Sequence, residues 1–305
     1  MNTSNELTIA ICTHNRPDLL QLLLGRILPQ AEQFGVWVIV VDSASEPAAA
    51  RRVMEGVASS PVAHLIRLDR KGTSLARNAA LNAASTPWLA FIDDDELPPP
   101  DWVKEALELC RRLPADCAAC GGNTLPLWPE GLEVPRIGQR WLDYLSLVER
   151  QGELDQSDRP HFLIGHSMVR VSAVREVGGF DLRLGRQGSN LLSGEESLLV
   201  EMLIAKGWRI WHSDRLNIQH AIEPERLERG WVRNRAYWEG VTRARILRLS
   251  DPVAHARLAR EVTRKAIPLK LLARGLGRFR EVDLRWCFAA GVLAERKLET
   301  TSPNT

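Results

Sequence analysis

Four consecutive acidic residues, at positions 93–96, follow a run of mostly apolar residues and precede three prolines. Residues 88–92 predict a buried strand, and side chains alternate along a strand. Asp93 and Asp95 therefore point the same way if the extended geometry persists. Two such carboxylates suit a hard divalent cation, Mg²⁺ or Mn²⁺. Because Mg²⁺ commonly takes phosphate oxygens as further ligands, this site implies a phosphorylated substrate. The alternative is a solvated acidic turn that helps to start the next helix.

The elements that must position these acids are visible as apolar runs alternating with helical segments, which predict strands at 7–12, 36–41, 64–68 and 88–92. This alternation predicts a parallel sheet with right-handed crossovers, an α/β fold. Ligands bind beyond the carboxyl ends of such strands, where we find Thr13, Asn15, Asp42 and residues 93–95. The GxGxxG fingerprint and the P-loop are absent, which counts against a dehydrogenase and a P-loop kinase.

The composition is that of a globular protein with a substantial core. The 305 residues are 45% hydrophobic and 26% charged, enough for one large domain with an appendage or for two domains. We expect no signal peptide and no membrane span, because the first residues and the apolar runs match neither pattern. Five irregularly spaced cysteines predict a reducing compartment. The CxxC formed by Cys117 and Cys120 fits a buried strand better than a zinc site. We therefore expect a cytoplasmic protein.

Charge is distributed unevenly along the chain. Residues 1–225 contain 22 Lys and Arg against 30 Asp and Glu, whereas residues 226–305 contain 18 against 8. The last quarter is thus a basic segment, with a net charge of +10, on an acidic body. Such asymmetry predicts an anionic partner: a membrane surface, nucleic acid or a phosphorylated lipid. The helices predicted in this segment also contain aromatic residues. Either they lie on anionic lipid or cradle a polyprenyl diphosphate, or they pack on the body with solvated arginines.

Four motifs agree on one family. TIAICTHNRP, VIVVDSAS, GTSLARNAAL and FIDDDELPPPDW occur in an order and spacing that resemble glycosyltransferase family 2, over roughly residues 7–225. The resemblance implies a GT-A fold, Rossmann-like, with a mostly parallel central sheet flanked by helices and followed by a C-terminal helical extension. It divides the chain into a glycosyltransferase domain at 1–225 and a basic helical segment at 226–305. Within the domain, residues 1–125 form the nucleotide-binding half and residues 126–225 the acceptor half.

The resemblance also implies roles for individual residues. Thr13 and Asn15 lie beside the base and ribose of a nucleotide-sugar donor, Asp42 binds the base or ribose, and Arg77 lies near the nucleotide or its diphosphate. Asp93 and Asp95 form the DxD pair that holds the metal, with Asp94 facing the ribose. The local alternatives are that Thr13 and Asn15 cap the first helix, that Asp42 belongs to a turn, and that Arg77 pairs with a surface acid.

A second acidic pair, Glu195 and Glu196, follows a glycine-rich stretch and resembles the acidic pair whose second member is the catalytic base in inverting family members. Glu196 occupies that position, where the family more often has Asp. The alternative is a capping box, with Ser193 as the N-cap and Glu196 at the third helical position. His220 matches a family histidine that binds the metal or the leaving diphosphate, and otherwise is a histidine hydrogen-bonded at a strand end. His166 is interpreted as a packed or hydrogen-bonded histidine in preference to a ligand contact.

The sequence thus predicts a metal-dependent, inverting hexosyl- or N-acetylhexosaminyltransferase. We expect a UDP-sugar donor, Mn²⁺ or Mg²⁺, and an acceptor such as a lipid-linked glycan of surface polysaccharide or exopolysaccharide synthesis. The basic segment would hold the enzyme at the cytoplasmic face of the inner membrane. The alternative in another class is a non-catalytic nucleotide-sugar or glycan-binding protein with a retained GT-A fold. A GT-A-like nucleotidyltransferase is disfavoured by the GTSLARN motif. Nothing in residues 1–225 indicates a nucleic-acid partner.

Overall fold

A computed structural model describes residues 4–131, 139–158, 165–188, 190–275 and 281–301. Its strands, in chain order, are β1 Leu7–Thr13, β2 Trp37–Ser43, β3 Ala63–Leu68, β4 Trp88–Asp93, β5 Glu96–Leu97, β6 Cys117–Gly121, β7 Thr124–Leu127, β8 Glu153–Asp155, β9 Ser167–Arg170, β10 Arg209–Ser213 and β11 Ile218–Ala221. Its helices are α1 Pro17–Phe34, α2 Pro47–Val57, α3 Thr73–Ala83, α4 Trp102–Arg112, α5 Gln139–Tyr144, α6 Val171–Glu176, α7 Glu195–Ala205, α8 Arg229–Ser250, α9 Pro252–Gly275 and α10 Glu281–Thr301, with a 3-10 helix at Pro224–Leu227.

Eight strands form the central sheet in the order β3-β2-β1-β4-β9-β6-β10-β8. The first four are parallel, as predicted, and β9 runs antiparallel to both β4 and β6. In the register, Thr13 lies opposite Asp42 and Cys12 lies opposite Asp93, so the carboxyl ends of β1, β2 and β4 are level. This alignment brings polar residues from three separate loops to one edge of the sheet.

Helices cover both faces of the sheet because successive strand side chains point to opposite sides. On β1, Ile9 and Ile11 pack with α1, α2 and α4, whereas Ala10 faces the cluster formed with α3, α6 and α7. The arrangement is a mixed α/β fold with a mostly parallel sheet, followed by C-terminal helices. A second sheet of three strands, β5-β11-β7, lies beside the end of β4. It places His220 of β11 opposite Glu96 of β5.

The first C-terminal helix packs on the body of the protein. In α8, Val232 and Ala236 join a buried cluster with Trp141 and Tyr144 of α5, and Trp231 packs against the same cluster. Helices α8 and α10 cross closely at two glycines. A Cβ atom added to Gly240 would lie 2.0 Å from the Phe288 carbonyl oxygen, and one at Gly291 would lie 1.9 Å from the Tyr237 carbonyl oxygen. Only glycine at these two positions permits the helices to approach so closely.

Three sequence predictions of secondary structure were wrong. Three prolines at 125–135 and the polar residues at 151–159 predict loops, but these segments contain the strands β7 and β8, whose edge positions tolerate Pro126 in β7 and exposed polar residues in β8. Pro268 predicts a break in the helix that starts near residue 253, but that helix, α9, continues to Gly275. An apolar stripe of α9, including Val262, packs on α8 and α10 and helps to offset the backbone hydrogen bond that a proline removes.

Two further expectations concern the chain as a whole. The apolar sequence at 162–171 has strand character, and β9 is observed there from residue 167 to 170; residues 162–164 lie outside the described part of the chain. Division of the chain at residue 225 stays a prediction. Among the described residues, no helix is both long and apolar enough to cross a membrane.

Candidate active site

Thr13, at the end of β1, and Asn15, just after it, hydrogen-bond to residues that follow β4 and β2 and do not cap the first helix. The Thr13 hydroxyl donates to Asp94 Oδ2 at 2.7 Å. Asn15 has a positive φ of 57°, and its Oδ1 accepts a hydrogen bond from the Glu46 N–H at 2.7 Å. Helix α1 begins at Pro17 without a side-chain cap hydrogen bond. The capping alternative for Thr13 and Asn15 is therefore wrong. Both residues instead connect the loops at the carboxyl edge of the sheet.

Asp42 ends β2 as a fully buried carboxylate. One oxygen accepts a hydrogen bond from the Ser45 N–H at 2.9 Å, and the other accepts one from the guanidinium of Arg67 on β3. A buried carboxylate requires such partners. These contacts fix the Asp42 side chain at the carboxyl edge of the sheet; whether it binds a base or ribose stays a prediction.

Asp94 and Asp95 form what we call the outer cluster, together with Arg16, His220 and Arg226. Asp95 Oδ2 lies 2.8 Å from Arg226 Nη2, 3.1 Å from Arg16 Nη1 and 3.5 Å from His220 Nε2. Burial opposes ionisation of Asp95, but His220, Arg226 and Arg16 together lower its pKa. By contrast, burial and the charge of Asp95 raise the pKa of Asp94 to about 6. The cluster thus keeps Asp95 ionised.

His220 is held from behind by the backbone. Its Nδ1 lies 3.1 Å from the Leu145 carbonyl oxygen, which turns Nε2 towards Arg226 Nη1 at 3.0 Å and towards Asp95. Burial opposes protonation, but the hydrogen bond and charge of Asp95 outweigh it and raise the pKa of His220. The strand-end position of His220 agrees with both interpretations of the sequence, so its role towards a metal or a diphosphate stays a prediction.

The second group, here called the inner cluster, contains Arg77, Asp93, Glu195 and Glu196. Arg77 is only 2% exposed, and its guanidinium carbon lies within 6 Å of the ring centroids of Phe91 and Phe180. Its Nη1 donates to both glutamates, at 3.0 Å to Glu195 Oε1, and its Nη2 donates to Asp93 Oδ1 at 3.2 Å. Arg77 is therefore not paired with a surface acid. One buried guanidinium links the end of β4 to the start of α7.

The two glutamates differ in protonation although they are adjacent. Burial, and then the charge of Glu196, raise the pKa of Glu195 to about 8. Burial also opposes ionisation of Glu196, but the charge and hydrogen bond of Arg77 outweigh it and lower the pKa of that group. Glu195 is thus the protonated member of the pair at neutral pH, and Glu196 is the carboxylate. Glu195 Oε2 is buried without a hydrogen-bond partner, which a neutral carboxyl tolerates better than an ionised one.

The start of α7 excludes the capping-box interpretation. The N-cap is Gly194, with a φ of 89°, and no side chain makes a cap hydrogen bond. The Ser193 hydroxyl instead accepts a hydrogen bond from Arg235 Nη2 on α8 at 3.1 Å. A Cβ atom on Gly194 would lie 2.5 Å from the Thr242 side chain, so close packing on α8 and the left-handed backbone both favour glycine. Glu196 is free of a capping role.

The family of this α/β chain follows from its match to a family model. The model of glycosyl transferase family 2 matches residues 8–177, more than half of the sequence. The chain belongs to glycosyltransferase family 2. This membership confirms the family resemblance and the GT-A fold that the motifs predict, with the additional helices α8 to α10 at the C-terminus.

Named relatives and a solved structure agree with the family. The chain is 26% identical over 254 residues to the succinoglycan biosynthesis protein ExoM of Rhizobium meliloti, covering 81% of this chain and 76% of that one. It is 23% identical over 253 residues to a glucosyl-dolichyl phosphate glucuronosyltransferase of Haloferax volcanii, covering 82% and 79%. The fold superposes, with a TM-score of 0.60 and 17% identity, on a mannosyltransferase from Pyrobaculum calidifontis solved with GDP-Man and Mn²⁺, covering 99% and 91%.

Several residues of this family 2 site were not predicted from the sequence. Arg16 lies inside the first motif, so its type and position could have indicated a role in the site. Arg226 lies outside the range that the family model matches, and it contacts Asp95, which is 131 positions away in the sequence. Glu96, the fourth acid of the run, accepts a hydrogen bond from the Asp93 N–H at 2.9 Å. Its Oε1 lies 3.4 Å from Nδ1 of the fully buried His166, which agrees with the interpretation of His166 as a packed histidine.

Proposed function

We propose that this family 2 chain is a metal-dependent, inverting glycosyltransferase that uses a nucleotide-diphosphate sugar. The observation that carries the proposal is the bridge made by Arg77. Its two terminal nitrogens contact Asp93, a candidate metal ligand, and Glu196, the candidate base. Donor activation and acceptor deprotonation must occur on either side of the same anomeric carbon, and one guanidinium holds groups suited to each task.

The donor would lie at the carboxyl ends of β1, β2 and β4. Thr13, Asn15 and Asp42 surround the position of the base and ribose, with Asp94 facing the ribose and Arg77 on the diphosphate side. The mannosyltransferase from Pyrobaculum calidifontis was solved with a nucleotide sugar in the same fold, which supports this assignment. Its donor is GDP-Man; the UDP-sugar donor expected here rests on the resemblance to the family. Whether the sugar is a hexose or an N-acetylhexosamine is a further part of the proposal.

The residues at the end of β4 fit a divalent cation. Asp95 is kept ionised, as a metal ligand must be, and its present partners Arg16, His220 and Arg226 are the cations that a metal ion would have to displace. The Asp93 side chain is 44% exposed, and the surrounding protein and nearby carboxylates raise its pKa to about 7, which a bound cation would reverse. Among the described residues, no three His, Cys, Asp or Glu side chains are arranged as a complete metal site.

Two protein ligands with further oxygens from substrate phosphates form an ordinary environment for Mg²⁺ or Mn²⁺. Asp93 and Asp95 would hold the ion, with His220 beside it. When bound, the ion would neutralise the charge that develops on the leaving diphosphate. Arg16 and Arg226 are placed to interact with the same phosphates once Asp95 turns to the ion.

Glu196 would act as the general base. Its lowered pKa keeps it as a carboxylate, able to take the proton of an acceptor hydroxyl. The acceptor oxygen forms the new bond to the anomeric carbon as the bond from that carbon to the donor phosphate oxygen breaks. The nucleoside diphosphate leaves from the opposite face, so the configuration inverts. Glu195, protonated and 4% exposed, would position Arg77 and Glu196.

The acceptor we propose is a lipid-linked glycan of surface polysaccharide or exopolysaccharide synthesis. Two relatives support it through their names, one in succinoglycan biosynthesis and one that acts on a glucosyl-dolichyl phosphate. The protein would then work at the cytoplasmic face of the inner membrane. The basic face of α9 supports this location, because Arg257, Arg260 and Arg264 are exposed on the side opposite its packed residues, with Val253 72% exposed.

Co-sedimentation with vesicles tests the membrane contact. We expect binding to anionic vesicles and not to zwitterionic ones, and loss of binding in the double variant Arg260→Glu, Arg264→Glu. Equal binding of that variant would exclude α9 as the contact.

Thermal shift tests the proposed function most directly. The protein is melted with UDP, TDP, GDP or ADP, each with Mn²⁺ or with a chelator. A ligand that binds the native state raises the melting temperature by mass action. We expect one nucleotide to give a Mn²⁺-dependent shift that Asp95→Ala abolishes, followed by sugar transfer from its derivatives. Absence of a shift with every nucleotide would overturn the donor site, whereas a shift without any transfer would favour a non-catalytic binding protein.

A further inference from the structure

Arg186 lies at the edge of the site and has no acidic partner among the described residues. It lies in the loop that leads towards α7, and its carbonyl oxygen accepts a hydrogen bond from the Thr73 N–H at 3.3 Å, which ties the loop to the start of α3. Its side chain is exposed to solvent. Within the described ranges, no carboxylate lies at ion-pair distance from its guanidinium. Most other arginines of the site are paired, so Arg186 is available to an external anion.

The surroundings of Arg186 are positively charged. A Cβ atom on the preceding residue, Gly185, would lie 3.4 Å from Glu195 Cδ, so this loop runs beside the inner cluster. Although the side chain of Arg186 reaches solvent, the protein packed around it lowers its pKa first, and the charges of Arg226, Arg16 and Arg235 lower it further. Asp95 acts in the opposite direction, but Asp95 already pairs with Arg16 and Arg226. An anion bound at this place would therefore meet several cations, while the nearby carboxylates are already paired with arginines.

Arg235 supplies a second unsatisfied donor. Its Nη2 donates to Ser193 Oγ at 3.1 Å and lies 2.9 Å from Glu239, and its guanidinium lies 5.9 Å from the ring centroid of Tyr144. Its Nη1 is buried and has no hydrogen-bond partner among the described residues. A buried donor without a partner is unfavourable, so an incoming acceptor atom would be stabilised there. The side chain is 16% exposed and fixed on a long helix.

We propose that Arg186 and Arg235 form a subsite for a phosphate group on the acceptor, distinct from the donor diphosphate. The proposal rests on the proposed function and names its acceptor class: a sugar linked to a lipid through phosphate. Arg235 contacts Ser193, two residues before Glu195, and Tyr144 of α5, so it lies on the side of the candidate base. The donor diphosphate belongs with Asp93 and Asp95. Guanidinium groups match phosphate because several N–H donors can point at its oxygens together.

Calorimetric titration with farnesyl phosphate tests the subsite. The full chain is first saturated with Mn²⁺ and with the nucleoside diphosphate that stabilises it, so that the donor site is filled. We expect Arg186→Gln and Arg235→Gln each to weaken farnesyl phosphate binding about tenfold or more, while nucleotide affinity changes less than twofold. Arg235→Lys, which keeps the charge, provides a second variant if Arg235→Gln folds poorly. Arg183→Gln is the matched control, since Arg183 lies in the same loop and already pairs with Asp181.

Each other outcome identifies a different explanation. Equal binding of farnesol would show that the prenyl tail, and not the phosphate, is recognised, and would overturn the subsite. Binding of inorganic phosphate with the same arginine dependence would support an anion site that needs no lipid. A larger loss of nucleotide affinity would assign the arginines to the donor instead. If no nucleotide binds, the proposed function fails, but the farnesyl phosphate titration without nucleotide still decides the subsite.

Discussion

The inner and outer clusters both join carboxylates to arginines, but they distribute positive charge in opposite ways. In the inner cluster, Arg77 is the only cation of the described residues that pairs with Asp93, Glu195 and Glu196. In the outer cluster, two carboxylates share Arg16 and Arg226, and His220 stands beside them. Arg77 is completely enclosed, whereas Arg16 is 28% exposed. The inner cluster thus depends on a single cation, whereas in the outer cluster one cation can take over the contacts of another.

This difference separates a fixed part of the site from an adaptable part. Removing one partner of a buried ion pair leaves an uncompensated charge, which is strongly destabilising. Arg77 therefore has to stay in place through a reaction cycle, holding the acids at the ends of β4 and α7 in one geometry. In the outer cluster, Asp95 can release one arginine to a phosphate and still keep the others. We infer that ligand binding rearranges the outer cluster and leaves the inner cluster intact.

The largest effect is expected from Arg77→Met. The substitution leaves three carboxylates around an apolar side chain, and we expect a loss of about 3–5 kcal/mol in the free energy of unfolding. Arg16→Met should lose less, about 1 kcal/mol, because Arg226 and His220 still face Asp95, and Asp94, whose pKa is already raised to about 6 by burial and the charge of Asp95, can take up a proton. Urea denaturation at pH 7 with a chelator measures both. Equal losses would contradict the idea that only the inner cluster depends on a single cation.

Within the inner cluster, the two glutamates should respond differently to substitution. Glu196→Gln removes the candidate base, and we expect transfer to fall about a thousandfold while nucleotide binding is kept. Glu195→Gln replaces a group that is already protonated, so transfer should fall by less than about tenfold. Initial rates with the donor identified by thermal shift measure both variants. A larger loss in Glu195→Gln would reverse the assignment of the base.

The pH dependence of stability tests the protonation of Glu195. Because the pKa of Glu195 is raised to about 8, the folded protein binds a proton there that the unfolded chain releases near its ordinary pKa of 4.5. The contribution of this proton to the free energy of unfolding is fully present below pH 4.5 and is lost as pH rises through 8. Glu195→Gln should therefore reduce the fall in unfolding free energy between pH 5 and pH 9, by on the order of 2 kcal/mol.

Denaturation across this pH range, in chelator, gives the comparison. Glu201→Gln, on the exposed part of the same helix, is the control and should keep the wild-type slope. Identical slopes for wild type and Glu195→Gln would show that Glu195 is ionised in the folded protein.

The sequence predicted the frame of the site better than its internal contacts. Strands are determined largely by local sequence patterns. Residues 7–12, 36–41 and 88–92 therefore predicted β1, β2 and β4 and the alignment of their carboxyl ends. The same patterns located the acidic run after β4, but β4 ends at Asp93 and the next acids turn away from it, so Asp93 faces Arg77 and Asp95 faces Arg226; their role as a DxD pair stays a prediction. Ion pairs between distant positions have no local pattern, and so the contact of Arg226 with Asp95 was missed. The Ser193 capping box was a plausible local pattern that tertiary contacts overrode, because Arg235 on α8 takes the hydroxyl.

The smallest effect concerns exchange in the outer cluster. Arg226 lies 2.8 Å from Asp95 and competes with any cation for that carboxylate. We therefore expect Arg226→Gln to bind Mn²⁺ about three- to tenfold more tightly in the absence of nucleotide, since Mn²⁺ no longer has to displace an ion pair whose net contribution is on the order of 1 kcal/mol. Titration monitored by the electron paramagnetic resonance of free Mn²⁺ measures this affinity. Arg67→Gln is the control, because Arg67 pairs with Asp42 on the neighbouring strand and should leave Mn²⁺ affinity unchanged. Weaker Mn²⁺ binding by Arg226→Gln would mean that Arg226 holds Asp95 in a binding geometry, and the outer cluster would then be as fixed as the inner one.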